Sequence, residues 1–265
     1  MNVDNFSFFV IAGFVAQLID GTLGMAYGVC CNSLLLSTGV APVVASASVH
    51  LAELFTTGFS GFCHWRLGNI DLVIFKKLLL PGVVGGISGA YILTSIPGER
   101  IKPLVSFYLL AMGLYILYKA FRKGIPVPSN RQLAPLGFIG GLVDAIGGGG
   151  WGPIVTSSLV ARGNAPRLAI GSVNLAEFFV TVATSATFTL AMGLIHWRII
   201  AGLVVGGLLA APLAAFTCRH LRPKPLMVLV GLLIVGLSIR TLYQSPIKIA
   251  LIHPIVTQTS QTIWR

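Results

Sequence analysis

Four acidic residues stand where membrane proteins rarely tolerate them. The chain has only seven Asp and Glu residues, and Asp20, Glu53, Asp144 and Glu177 lie inside apolar segments. A carboxylate at the centre of a membrane helix costs at least ~2.5 kcal/mol, so such a residue usually serves a polar cavity. We predict that these four groups couple proton movement or gate a substrate path. Two structural interpretations stay open, namely glutamates that bridge helices as protonated carboxyls, and aspartates that cap broken backbone.

The composition requires these residues to be positioned by membrane helices. Of the 265 residues, 55% are hydrophobic and 9% are charged, with a mean hydropathy of +0.88, whereas soluble domains carry about 25% charged residues. Backbone that faces lipid must satisfy its own hydrogen bonds, which predicts helices. The start MNVDN lacks the basic region of a cleavable signal peptide, so the first apolar segment is expected to stay in the membrane. The longest apolar stretches are 72–95, 101–118, 168–195, 199–218 and 224–239.

The net charge of +11 does not indicate a nucleic-acid partner. The basic residues lie in short connections between apolar stretches, which is the distribution that orients membrane proteins in lipid. The sequence shows no Cys and His spacing typical of a metal site, so we expect no metal, no cofactor and no nucleic acid. The expected partners are membrane lipid and a small solute, and the oligomeric state stays open.

The two halves of the chain repeat each other. Asp20 aligns with Asp144 and Glu53 with Glu177 when the halves are superposed in sequence. Apolar bias alone would not align acidic residues, so we infer a duplication, which is a feature of transporters. The predicted divisions are a first repeat, a connecting loop, a second repeat and a C-terminal tail, at 1–123, 124–132, 133–245 and 246–265.

Each repeat opens with a segment that cannot be one straight helix. Residues 6–38 would form a helix of about 50 Å at 1.5 Å per residue, longer than the ~30 Å core of a bilayer. Glycines interrupt this segment, and the run 147–153 breaks its counterpart. If both segments turn back, the halves are inverted and most of the 18 Lys and Arg residues fall on one side. We predict an all-α integral membrane protein with two homologous, inverted repeats, each a broken or re-entrant first segment followed by three transmembrane helices.

Neutral hydrogen-bond donors surround these breaks and suit a small anion. Backbone N–H groups at glycine breaks and the positive ends of half-helices attract negative charge. Polar side chains near the glutamates add further donors, although such residues also join membrane helices by hydrogen bonds. The predicted substrate-binding residues are Gly24, Gly28, Ser48, His50, Gly148, Gly149, Gly152, Ser172 and Asn174. His50 aligns with Asn174, so the two half-sites differ chemically.

Four stretches resemble the sulfite exporter TauE/SafE family, small prokaryotic permeases with two related halves. They read IDGTLGMAYG at 19–28, APVVASASVHLAE at 41–53, LVDAIGGGGWGPIV at 142–155 and NAPRLAIGSVNLAEFF at 164–179. The resemblance covers nearly the whole chain. It implies transport of a small sulfur oxyanion or organosulfonate across the cytoplasmic membrane.

These observations predict a secondary transporter rather than an enzyme. The expected activity is transport, with export as the expected direction, of a small sulfur-containing anion such as sulfite or an organosulfonate. Alternating access between the halves and proton coupling are the expected mechanism. The expected location is the prokaryotic cytoplasmic membrane, which the chain crosses several times. An anion channel or a non-transporting membrane protein stays open as an alternative.

Overall fold

A computed structural model describes residues 6–23, 25–121, 132–162, 164–193, 196–217 and 223–243, and within these ranges the regular structure is helical. The predicted tail 246–265 and all of the predicted connecting loop except Gln132 lie outside the described residues. The helices are α1 Phe6–Leu23, α2 Tyr27–Ser37, α3 Pro42–Arg66, α4 Leu72–Ser95, α5 Gly98–Phe121, α6 Leu133–Gly147, α7 Ser157–Ala161, α8 Pro166–Met192, α9 Trp197–Thr217 and α10 Pro223–Tyr243; one π-turn, Gly152–Thr156, precedes α7.

Both halves show the same order of elements. A first segment breaks into two pieces, α1 with α2 and α6 with α7, and three longer helices follow in each half. Glycine disfavours helix interiors by about 1 kcal/mol per residue, so glycine clusters inside apolar segments end the helix there. The predicted broken segments and the predicted helical class are therefore both present.

The main helix contacts join one half of the chain to the other. Helix α1 lies mainly against α9 of the other half, and α6 lies against α4, while α3 pairs with α8 and α5 with α10. The longer piece of each broken segment, α1 or α6, thus packs mainly against the opposite half. Helices α1 and α6 correspond in the two halves, as do α9 and α4, so these contacts are reciprocal.

Helix α4 begins at a cap that also ties it to the other half. The Asp71 side chain accepts hydrogen bonds from the Val73 and Ile74 N–H groups at 2.8 and 3.2 Å, an N-cap that satisfies two free donors. The Asp71 N–H itself donates to Ser172 Oγ over 2.7 Å. The start of α4 is therefore fixed against α8.

The outer surface carries large apolar side chains that a soluble protein would bury. Leu80, Tyr91 and Leu104 are 70%, 68% and 63% exposed, and such extended apolar surface is typical of contact with lipid. Among the described residues, three helices are long and apolar enough to cross a membrane, namely Leu72–Ser95, Gly98–Phe121 and Leu168–Met192. These observations place the helices in a membrane.

Close contact between α4 and α6 depends on small residues. A Cβ atom added at Gly85 would lie 2.9 Å from the Leu142 backbone nitrogen and would overlap the Phe138 carbonyl oxygen. Small residues let membrane helices approach to backbone distance, where dispersion contacts are densest. The obstacle at Gly85 is backbone, which cannot move aside as a flexible side chain can.

Gly85→Ala should destabilise the folded protein by about 1–3 kcal/mol, the usual cost of overpacking. The measurement is the apparent melting temperature of the detergent-purified protein. Gly236→Ala is the matched control, because a Cβ there meets no atom within 4 Å in the same type of helical position. Equal melting temperatures for the two variants would contradict the packing described here.

Candidate functional site

The first break lies between Asp20 and the start of α2. The Tyr27 N–H donates to Asp20 Oδ1 over 3.2 Å, so the aspartate caps the second piece of the segment. Ala26 has φ 98, a left-handed conformation that costs an L-residue about 1–2 kcal/mol. Strained backbone of this kind is concentrated at functional sites. Gly24, a predicted substrate-binding residue, lies outside the described residues.

The second break repeats this arrangement at the end of α6. Gly148 and Gly149 have φ 64 and 147, which side chains strongly disfavour. The Trp151 N–H then donates to Asp144 Oδ1 over 2.9 Å. Trp151 aligns with Tyr27 in the duplication, so the two aspartates make equivalent bonds. Both aspartates therefore cap broken backbone, which is the structural interpretation that the sequence left open for them.

Side chains from the first half satisfy the carbonyl groups of the second break. The Asn32 side-chain amide donates to the Gly147 carbonyl oxygen, and the Tyr108 hydroxyl donates to the Gly149 carbonyl oxygen over 2.7 Å. Irregular backbone at membrane depth persists only where protein or water satisfies it. The break is therefore a supported structure rather than a loose linker.

The two breaks touch each other beside Glu53. A Cβ atom at Gly28 would lie 2.7 Å from Glu53 Oε1 and from the Gly149 Cα atom, so only glycine fits there. The Gly28 backbone therefore lies directly against the Glu53 carboxyl group. Glu53 is thus held at the junction of the two halves.

A cavity at this junction gathers all four predicted carboxyl groups. It offers about 30 Å³ to the centres of water molecules, room for two or three of them at ~10–15 Å³ each. Its described lining contains no Lys, Arg or His. The lining includes Gln17, Asp20, Tyr27, Gly28, Glu53, Thr56, Thr57, Ser60, Asp144, Gly149, Gly150, Gly152, Asn174 and Glu177.

The four carboxyl groups differ in their access to solvent. Glu53 is 3% exposed and Asp144 is 1% exposed, whereas Asp20 and Glu177 are half-buried. Glu53 Oε2 has no hydrogen-bond partner, which is costly for a buried polar atom unless a bound solute or water serves it. Asp20 of the first half and Glu177 of the second half are therefore the more accessible carboxyl groups.

Two predicted serines lie away from this cavity. Ser48 lines a second, smaller cavity together with Phe188 and His196. Ser172 accepts from the Asp71 N–H and donates to the Asp71 carbonyl oxygen over 3.2 Å. Each serine precedes its glutamate by five positions, which turns it about 140° around the helix at 3.6 residues per turn. Helix geometry therefore separates the serines from the glutamates.

His50 and Asn174, the aligned pair, have different partners. His50 Nε2 lies 3.1 Å from Asp144 Oδ2, behind the cavity wall. Asn174 lines the cavity and donates to Ser60 Oγ over 2.8 Å. Of the predicted glycines, three line the cavity and Gly148 packs on the Asn32 side chain instead.

Sequence reasoning missed several polar residues of the cavity. Thr56, Thr57 and Ser60 follow Glu53 by three, four and seven positions, which places them on one face of α3. This spacing is enough to predict from the sequence that the three hydroxyl groups lie on the same face as Glu53. Gln17 precedes Asp20 by three positions on α1, and its Oε1 atom is buried without a partner.

His50, Glu53 and Asp144 also form a cluster of ligand-type atoms, all within 4.8 Å of one another. The His50–Asp144 distance of 3.1 Å is that of a hydrogen bond. We therefore interpret the cluster as a hydrogen-bonded pair beside a carboxyl group, which the sequence could not reveal because its members are distant in the chain.

Duplicated broken helices that meet at a charged cavity, within an apolar exterior, define a membrane transporter. The family follows from the sequence as a whole. The model of the family "Sulfite exporter TauE/SafE" matches residues 9–241, and the chain belongs to this family.

Curated relatives carry transporter names. The chain is 42% identical to "Probable membrane transporter protein YtnM" of Bacillus subtilis (strain 168), over 97% of this chain and 89% of that protein. It is 29% identical to "Probable membrane transporter protein ORF9" of Sinorhizobium sp, over 71% and 68% of the two chains. A "Probable membrane transporter protein" of Haemophilus influenzae is 25% identical over 81% and 86%. No solved structure matches significantly.

Tyr108→Phe should lower the stability of the protein by about 1–3 kcal/mol, because the Gly149 carbonyl group loses its donor in a buried place. Thermal unfolding in detergent measures the effect. Tyr91→Phe removes the same hydroxyl group from a residue that is 68% exposed, and it should change the stability little. A loss of the same size in both variants would show that the Tyr108 hydroxyl does not support the break.

Proposed function

We propose that this protein is a secondary transporter of a small sulfur-containing anion, with sulfite as the first candidate and small organosulfonates next. The observation that carries the proposal is the cavity where two broken helices meet around four carboxyl groups. The family name supports the proposed substrate class, and the acidic cavity supports the proposed mechanism. We place the protein in the prokaryotic cytoplasmic membrane.

The acidic lining of the cavity supports a mechanism in which protons accompany the anion. The described lining holds four acidic groups and no basic side chain. An anion about 5 Å from one ionised carboxylate is repelled by ~3 kcal/mol at an effective dielectric constant of about 20. This repulsion alone weakens binding about a hundredfold. Protonated carboxyl groups remove the repulsion and donate hydrogen bonds, so the anion and protons bind together.

Side chains rather than backbone supply most of the donors in this proposal. The Tyr27 and Trp151 N–H groups already donate to the two aspartates, and the Gly149 N–H donates to the Asp144 carbonyl oxygen. Of the glycine amides that the sequence assigned to the substrate, those of Gly148 and Gly149 are thus already engaged by the Asp144 carbonyl oxygen. The anion is then held by protonated carboxyls, with help from Ser60 and the second N–H of Asn174.

The difference in burial between related carboxyls supports alternating access. Asp20 and Glu177 are half-buried while Asp144 and Glu53 are buried. In a transporter made of inverted repeats, the opposite state exchanges the roles of the two halves. Asp144 and Glu53 would then become accessible from the other side. Rocking of one half against the other carries the anion and its protons across, and the two gradients together set the direction of net flux.

The substrate is tested with a thermal-shift screen of the purified protein against sulfite, thiosulfate, sulfoacetate, taurine and sulfate. A ligand present at about 100 times its dissociation constant stabilises the folded state by ~2.7 kcal/mol. Sulfite should give the largest shift, because the narrow cavity favours a compact anion. Absence of a shift with every sulfur anion would contradict the proposed substrate class.

Glu177→Gln should weaken the coupling of anion binding to pH, because the amide imitates the protonated carboxyl permanently. In proteoliposomes, the wild-type affinity for sulfite should rise as the pH falls, and the variant should show a smaller pH dependence while it still exchanges sulfite. Glu53→Gln should act in the same direction. The matched control is Glu99→Gln, at the exposed start of α5.

Two results of this flux assay would contradict the proposal. A Glu177→Gln variant with the wild-type pH dependence would remove this carboxyl from coupling. Flux that rises linearly with sulfite concentration, without saturation or counterflow, would indicate a channel in place of a transporter.

A further inference from the structure

The His50–Asp144 pair is buried behind the cavity, and its geometry fixes the position of one proton. His50 Nδ1 lies 2.8 Å from the Ser46 carbonyl oxygen. A carbonyl oxygen only accepts, so Nδ1 carries a hydrogen. In a neutral ring, Nε2 then has a bare lone pair, and this atom lies 3.1 Å from Asp144 Oδ2.

A lone pair and an ionised carboxylate would repel each other at this distance. The contact is favourable only when a proton lies between the two atoms, on Nε2 as an imidazolium or on Oδ2 as a carboxylic acid. The pair therefore has a net charge of zero with the proton and −1 without it. The hydrogen-bonded geometry is that of the pair with its proton bound, which is called the loaded form below.

The surroundings hold the ring in place and keep water out. The Ser46 hydroxyl donates to the Ala145 carbonyl oxygen over 2.6 Å, which fixes the carbonyl-bearing turn of α3 against α6. Phe188 covers the ring at a centroid distance of 5.8 Å. His50 has 0% exposed surface, whereas Asp144 lines the cavity. A proton can thus reach the pair only through the carboxyl group.

The titratable groups that face this pair come from several helices. Glu53 lies on the same helix as His50, and Glu177 on α8 and Asp20 on α1 interact electrostatically with the same cluster. Tyr108 on α5 interacts with Asp144.

Among the described residues, the corresponding position of the second half has no such His–Asp pair. Asn174 stands at the position of His50 and cannot carry a proton, and its amide donates to Ser60. Asp20, the counterpart of Asp144, has the equivalent cap bond from Tyr27. A difference at one position thus gives one half of the molecule an additional proton site that the duplication alone would not produce.

We propose that His50 and Asp144 form a proton-carrying site that belongs to one half of the transporter, and that the structure shows it loaded. The site takes up one proton from the cavity through Asp144 Oδ2 and shares it with His50 Nε2, which raises the charge of the pair from −1 to zero. It returns the proton to the cavity when Asp144 becomes accessible in the opposite state. This inference rests on the proposed transport function.

The first test measures steady-state accumulation of sulfite in proteoliposomes under a pH gradient. One pH unit can drive about tenfold accumulation per coupled proton. His50→Gln keeps a side-chain donor for Asp144 but cannot carry a proton, so it should lower the accumulation ratio by up to about tenfold per pH unit while counterflow at equal pH persists. His196→Asn, at an exposed position outside the cavity, is the control. Wild-type accumulation in His50→Gln would overturn the inference.

The second test does not depend on transport or on a known substrate. Ring-nitrogen NMR of the purified protein with ¹⁵N-labelled histidine follows His50, identified by the signal missing in His50→Gln. The Nε2 signal should respond when the pH is varied over the range in which the protein stays folded, and Asp144→Asn should abolish the response while Nδ1 stays protonated. An Nε2 signal that is constant over this range would overturn the proton site.

The two tests separate the inference from the function on which it rests. A responsive Nε2 signal together with no flux of any tested sulfur anion would reject the proposed function and support the proton site. Proton-driven flux together with a constant Nε2 signal would support the function and reject the site.

Discussion

Unpaired backbone inside a membrane is the constraint on which this structure depends. Each broken helix exposes N–H and C=O groups that lipid cannot satisfy. Asp20 and Asp144 accept from the N–H groups that follow the two breaks, while Asn32 and Tyr108 serve carbonyl groups of the second. Since these donors and acceptors come from both halves, the breaks hold the halves together. The carboxyl groups of Asp20 and Asp144 thus stabilise the broken backbone, whatever their further role.

This constraint also decides the chemistry of the cavity. The Tyr27 and Trp151 amides at the two breaks are engaged by the protein's own aspartates, so the anion of the proposed function would enter a cavity that already holds acidic groups. A binding site of this kind works only if its charge changes with the transport cycle. Protons are the smallest means of changing it, because a carboxyl group turns from a repelling acceptor into a donor when it gains one.

The two halves share the order of their elements but differ in their chemistry. Equivalent cap bonds occur at Tyr27 and Trp151, but Asp144 has a histidine partner while Asn174, in the corresponding place, bonds to Ser60. The burial of the related carboxyls also differs between the halves. In the proposed transport cycle, this inequality would make the two states chemically distinguishable.

The helical class, the broken segments and the four carboxyl groups could be predicted from the amino-acid order, because apolar length, glycine clusters and repeated acidic positions are local or additive properties. Helix rotation could also have predicted that Thr57 and Ser60 lie beside Glu53 and that Ser48 lies away from it. The contacts of His50 with Asp144 and of Ser172 with Asp71 could not be predicted in this way. They join residues far apart in the chain and depend on how the helices of the two halves pack together, which helix periodicity does not encode.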